Sequence, residues 1–140
     1  SRDALVQSAL ELWESQEQEQ VFGKLDSLSN AQERLSALVS LVAVEIKAHR
    51  IYSELLKTID HPLVKPVLER VSKRRIDYLT ASFRQAGMPR NQAINRARLT
   101  YASYVGFLQL SLQLGYPKLS HDEFNQYVVH LTETLIPASG

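Results

Sequence analysis

Apolar residues recur along the chain at steps of three and four and nowhere alternate over a useful length, so the pattern predicts helices and no strand. Leu5, Val6, Ala9, Leu12 and Trp13 mark a first helix of about four turns, with Ser1 or Asp3 near its start. The polar run 15–20, SQEQEQ, is expected to carry the end of that helix into solvent. Gly23 is expected to break the pattern, leaving 21–30 as a linker anchored by Phe22, Leu25 and Leu28. Asn30 and Glu33 have capping-box spacing, and Leu35, Leu38, Val39, Val42 and Ile46 stripe a second helix that ends near His49. Ile51, Tyr52, Leu55 and Ile59 give a short third helix one apolar face, and Pro62 ends it.

A long fourth helix starts near Pro62 or Pro66, since proline is tolerated in a first turn. Leu63, Val67, Leu68, Val71, Leu79 and Phe83 face inward, and Glu69–Lys73 and Lys73–Asp77 have ion-pair spacing on its surface. Gly87 stops it, and Met88 and Pro89 turn the chain into a fifth helix over 91–114. Gly115 and Pro117 end that one. Ser120 and Glu123 form a capping box for a last helix striped by Phe124, Tyr127, Val128, Leu131 and Leu135 and closed by Pro137. Six helices joined by short turns predict an all-α, six-helix bundle.

The fifth helix carries no charge from 99 to 114. Ile94, Ala97, Tyr101, Val105, Leu108 and Leu112 form one apolar face; Tyr104, Phe107, Leu110 and Leu114 form a second row. The remaining side holds Leu99, Ala102, Ser103, Gly106, Gln109 and Gln113, which are small or uncharged. A helix apolar nearly all round is buried on more than one side. Either it runs through the centre of a monomer, or it is shared between a core and a subunit interface. The small residues favour the interface, because they let a second backbone come close. The expected homodimer contact comprises Leu99, Ala102, Ser103, Gly106, Leu110 and Gln113, with Phe124, Val128, Leu131 and Leu135 of the last helix.

A chain of 140 residues suits one domain. Cysteine is absent, which fits a reducing cytoplasm. A net charge of +1 gives no electrostatic reason to expect nucleic acid or membrane as a direct partner. No apolar run approaches the roughly 20 residues that cross a bilayer. The N-terminus lacks a signal-peptide layout and enters a helical pattern at once, so a preceding segment is expected in the natural protein.

The residues carry little catalytic chemistry. His49, His61, His121 and His130 form no HExxH or ExxH motif, and Glu45 with His49 is two ligands, not a site. No phosphate loop or nucleophile elbow is present, so neither an enzyme nor a metal or other cofactor is expected. Lys73, Arg74 and Arg75 read as a solvated face, except that Arg75 has the spacing to lean inward. A buried arginine needs an anion, which is either one of the chain's own carboxylates or the carboxylate of a ligand. Tyr52, Tyr78, Tyr101 and Tyr104 sit at or beside apolar stripes. With Trp13 and Arg75 they either pack as solid core or line a cavity for a small apolar or aromatic effector.

The order of elements resembles the C-terminal effector-binding and dimerisation domain of the TetR family of bacterial transcriptional repressors. The resemblance lies in SRDALVQSALELWE, AQERLSALVSLV, HPLVKPVLERVSKRR, RARLTYASYVGFLQL and SHDEFNQYVVHLTETLIP. It implies that 1–19 is the connecting helix that transmits a ligand signal. It implies that 31–88 holds core helices and that 90–136 is the helix pair of a four-helix dimer interface. Operator DNA would be bound only through a helix-turn-helix domain that this chain does not contain. The competing expectation is a helical protein-interaction module with no small ligand.

Overall fold

The computed structural model describes residues 1–28, 30–40 and 46–137. Every regular element among them is helical, and none is a strand. Six helices have ten residues or more: α1, Arg2–Glu17; α3, Ala31–Ser40; α4, Ile46–Lys57; α5, Val64–Gln85; α6, Arg90–Leu114; and α7, His121–Leu135. A single turn, α2, Gly23–Asp26, lies between the first two. No helix among the described residues is long and apolar enough to cross a membrane.

The termini follow local chemistry. Ser1 Oγ accepts the Ala4 N–H at 3.2 Å and opens α1. Asn30 Oδ1 accepts from the backbone of Gln32 and Glu33 ahead of α3. At α7 the Ser120 hydroxyl accepts the Glu123 N–H while the Glu123 carboxylate accepts the Ser120 N–H, each at 3.1 Å. Gly87 (φ 101°) and Gly115 (φ 61°) take the left-handed conformation that ends α5 and α6 without strain.

Three expectations need correction. Gly23 does not break the first helix: its backbone is right-handed helical, and the chain reaches it through a π-helical stretch, Gln18–Phe22. A glycine costs a helix interior only about 1 kcal/mol, less than is recovered by burying Phe22 and Leu25 on either side of it. The run 15–20 does not simply enter solvent, because Glu17 is buried against α5. The boundary near His49 is absent too. α4 runs through His49 and Arg50 and buries His49, Tyr52 and Ser53 on one face. Val42 of the predicted stripe lies outside the described residues, as do Glu45 and the side chains of Val39 and Ile46. On α5, Glu69 pairs with Lys65 at 4.0 Å, while the expected Lys73–Asp77 pair forms at 2.6 Å.

The short turn after α5 makes α5 and α6 antiparallel neighbours, and they carry two apolar clusters. One joins Leu10 and Trp13 of α1, Tyr52 of α4 and Val64, Val67, Leu68 and Val71 of α5. The other joins Leu35 of α3, Leu79 and Phe83 of α5, Met88, and Ala93 and Ala97 of α6. Between them, at the middle of α5, lie Ser72 and Arg75. The side chains that answer them are polar.

Candidate functional site

Arg75 extends from α5 into the seam between α1, α4 and α6. Its Nε donates to Glu17 Oε1, and its Nη1 donates to the Tyr101 hydroxyl at 3.3 Å. The guanidinium carbon lies 5.2 Å from the Tyr52 ring centre and 5.9 Å from that of Tyr101, close enough for cation–π attraction from both rings. Three hydroxyls close a triangle beside it. Tyr52 and Ser72 are 3.0 Å apart, Tyr101 and Ser72 3.2 Å, and Tyr101 and Tyr52 3.3 Å. Burial pushes the Tyr101 phenol well above its ordinary value, against the pull of Arg75, so the group stays protonated.

His49 forms the far wall. Its ring stacks on Tyr52 with centroids 5.5 Å apart and meets Tyr104 edge-on at 6.2 Å. Nε2 lies 2.7 Å from Gln109 Oε1. Burial pulls the imidazole below its ordinary value, the Gln109 contact opposes this, and Arg75 adds to it. The ring is therefore neutral at pH 7, Nε2 carries the proton toward the amide oxygen, and Nδ1 is a bare acceptor.

Two buried atoms of the cluster have no hydrogen-bond partner: Glu17 Oε2 and His49 Nδ1. The Glu17 side chain is 8% exposed and His49 is 2% exposed. A buried acceptor left unsatisfied costs about 1–3 kcal/mol, and this cluster holds two of them.

The structure brings Trp13, Tyr52, Arg75, Tyr101 and Tyr104 of the predicted ligand residues to one neighbourhood. Trp13 lies 6.5 Å from Tyr52, ring centre to ring centre. Tyr78 stands apart: it leaves α5 on the side of α2, packs at a tilt on Phe22 with ring centres 4.8 Å apart and donates to Asp26 at 3.1 Å. Glu17, His49, Ser72 and Gln109 were missed. Spacing held a signal for Glu17, which falls four residues after Trp13 and seven after Leu10 and so shares their face. Nothing local marked Gln109, which the helical pattern set on the outer side of α6. Since the chain's own Glu17 answers Arg75, a ligand carboxylate is not needed for that role.

The opposite face of α6 is bare. Leu99, Leu110 and Leu114 are 54%, 44% and 70% exposed, and Ala102 and Gln113 are exposed beside them. A Cβ added at Gly106 would meet nothing within 4 Å. Of the α7 residues in the same expectation, Phe124 packs on Phe107 at 6.0 Å, Val128 and Leu131 are half-buried, and Leu135 is buried within the chain itself. A separate open groove of about 520 Å³ between α4 and the end of α6 is lined by Arg50, Ser53, Glu54, Lys57, Leu112 and Gln113, of which only Gln113 was a predicted site residue. No group of three or more His, Asp or Glu among the described residues could hold a metal ion. No family model, curated protein or solved structure matches the chain.

Proposed function

We propose that this chain is the effector-sensing, homodimerising domain of a TetR-like bacterial transcriptional regulator, acting in the cytoplasm. In such a regulator a helix-turn-helix domain preceding residue 1 would read operator DNA. The observation that carries the proposal is the junction of α1 with α4, α5 and α6. There a cluster of charged and aromatic side chains is buried between two apolar clusters, and α1 contributes Glu17 and Trp13 to it. A small aromatic molecule entering that cluster bears directly on α1, the helix that the resemblance makes the signal carrier. It shifts the domain between two arrangements only as far as its affinities for them differ.

The charge-free outer face of α6 supports the dimer. Contiguous apolar surface of this kind marks an interaction site more often than it stays open. A helix of this length is about 36 Å long, enough with part of α7 for a two-fold contact above about 1,500 Å² in total. The test has two arms. Light scattering at micromolar concentration is expected to give a dimer, and Gly106→Arg to give a folded monomer, since the fold itself has room there. A monomeric parent chain overturns the dimer. A diverse metabolite library is expected to contain compounds that raise the melting temperature. If none does and the dimer persists, the chain is a protein-interaction module instead.

A further inference from the structure

The two unpartnered atoms of the buried cluster are of one kind. Glu17 Oε2 is a carboxylate oxygen whose twin is already held by Arg75, and His49 Nδ1 is the unprotonated nitrogen of a ring whose other nitrogen faces an amide oxygen. Both are acceptors, and both are tied to Tyr52: His49 stacks on its ring, and Arg75, which holds Glu17, lies over the same ring. What is missing at this place is a hydrogen-bond donor. It is also a place where net charge is already cancelled, because Glu17 and Arg75 neutralise each other. An anion would have to displace Glu17 from Arg75, and a cation would sit beside the guanidinium.

We infer that the neighbourhood of Tyr52 is a binding site for an uncharged aromatic molecule that carries a hydrogen-bond donor, a phenol or an aryl amine, with the donor aimed at Glu17 Oε2 and the ring among Trp13, Tyr52 and Tyr104. This rests on the sensor reading above and narrows it. Affinity comes from the aromatic walls, which take flat apolar rings. Selectivity comes from the bare oxygen, because a site built to bond a donor rejects the analogue lacking it.

Four probes of one shape separate the classes: para-ethylphenol, para-ethylaniline, ethylbenzene and para-ethylbenzoate, titrated calorimetrically into the whole chain. The phenol and the aniline are expected to bind at least about tenfold more tightly than the other two, the difference a hydrogen bond to a charged group makes. Glu17→Gln places an amide N–H where the bare oxygen stands. The aniline is then expected to lose at least about tenfold and the benzoate to gain. Should that variant fail to fold, the carboxylate carbon of Glu17 is followed by NMR in the unaltered chain with labelled glutamate. A shift with the phenol and none with ethylbenzene supports the site; a phenol that binds without shifting it overturns the site. Tightest binding by para-ethylbenzoate, or equal binding by ethylbenzene and the phenol, also overturns it while leaving a sensor of another ligand class standing. If none of the four binds, the same library screen decides. Donor-bearing hits weakened by Glu17→Gln support the site, hits without a donor overturn it alone, and no hits overturn both it and the sensor.

Discussion

Glu14 and Glu17 stand three residues apart on α1, and both reach arginines of α5, yet their situations differ. Glu14 takes Arg70 on one oxygen at 3.1 Å and both Arg70 and Arg74 on the other, at 3.2 and 2.8 Å. Both its oxygens are used, and its two cations keep contact with water. Glu17 takes Arg75 alone, one oxygen stays bare, and the pair is buried among aromatic rings. The pair with fewer bonds is therefore the one on which more depends. Water cannot replace a lost partner at Glu17, whereas at Glu14 it can.

Removing the guanidinium is the largest expected break. Arg75→Ala leaves Glu17 as an uncompensated buried charge and is expected to cost about 3–5 kcal/mol in urea unfolding. The paired change Glu17→Leu with Arg75→Met is expected to recover most of that loss, since apolar replacements of both partners are often neutral. A double variant as unstable as Arg75→Ala alone would show that the deficit comes from packing.

Tyr78 gives a middle case, a phenol on α5 that donates to Asp26 of α2. Burial first, and the Asp26 contact next, push it up to about 12 from an ordinary value of 10.0. A raised value means the stabilisation is fully present below pH 10 and is lost as pH rises toward 12. Absorbance titration is expected to show Tyr78 among the late-ionising tyrosines, with Tyr101 and Tyr127, and Tyr78→Phe is expected to remove one phenol from that late group at a cost of about 1 kcal/mol.

The smallest effects belong to Glu14. Arg70→Ala and Arg74→Ala are each expected to cost less than about 1 kcal/mol, and less again in high salt, because exposed pairs are screened. The Arg70 contact, more than any other, holds the Glu14 carboxyl below the ordinary carboxylate range. Its contribution is therefore present above the ordinary carboxylate value and fades as pH falls through the lowered one. Arg70→Ala is expected to raise the midpoint of acid unfolding slightly. An equal salt response at Arg75 and Arg70 would erase the contrast between the two pairs.

The helices and most of their ends were legible because they rest on local chemistry: Ser1, Ser120 with Glu123, Gly87 and Gly115 each act within a turn of their own position. What escaped depended on distant partners. Gly23 keeps the helical path because Phe22 and Leu25 are buried around it, and no local rule weighs that burial. Gln109 turns inward for a histidine sixty residues earlier in the chain. Tyr78 on α5 and Tyr101 on α6 both flank apolar stripes, and only the rotation of each helix in the bundle sends one toward Asp26 and the other into the cluster. Arg75 was recognisable as an inward arginine, but its partner sat inside a run of glutamines and glutamates that composition marks as solvated.

Trp13 is the only tryptophan in the chain and stands at the edge of the buried cluster. The molecule thus has an optical reporter placed where α1 meets the rest. Red-edge excitation isolates the indole from the six tyrosines, and its emission colour and lifetime depend on how much water reaches it. Any movement of α1 away from Tyr52 is expected to redden that emission without a dye, a label or a change of sequence. A titration in a fluorimeter would then follow the first helix directly, and Trp13→Phe should silence the signal.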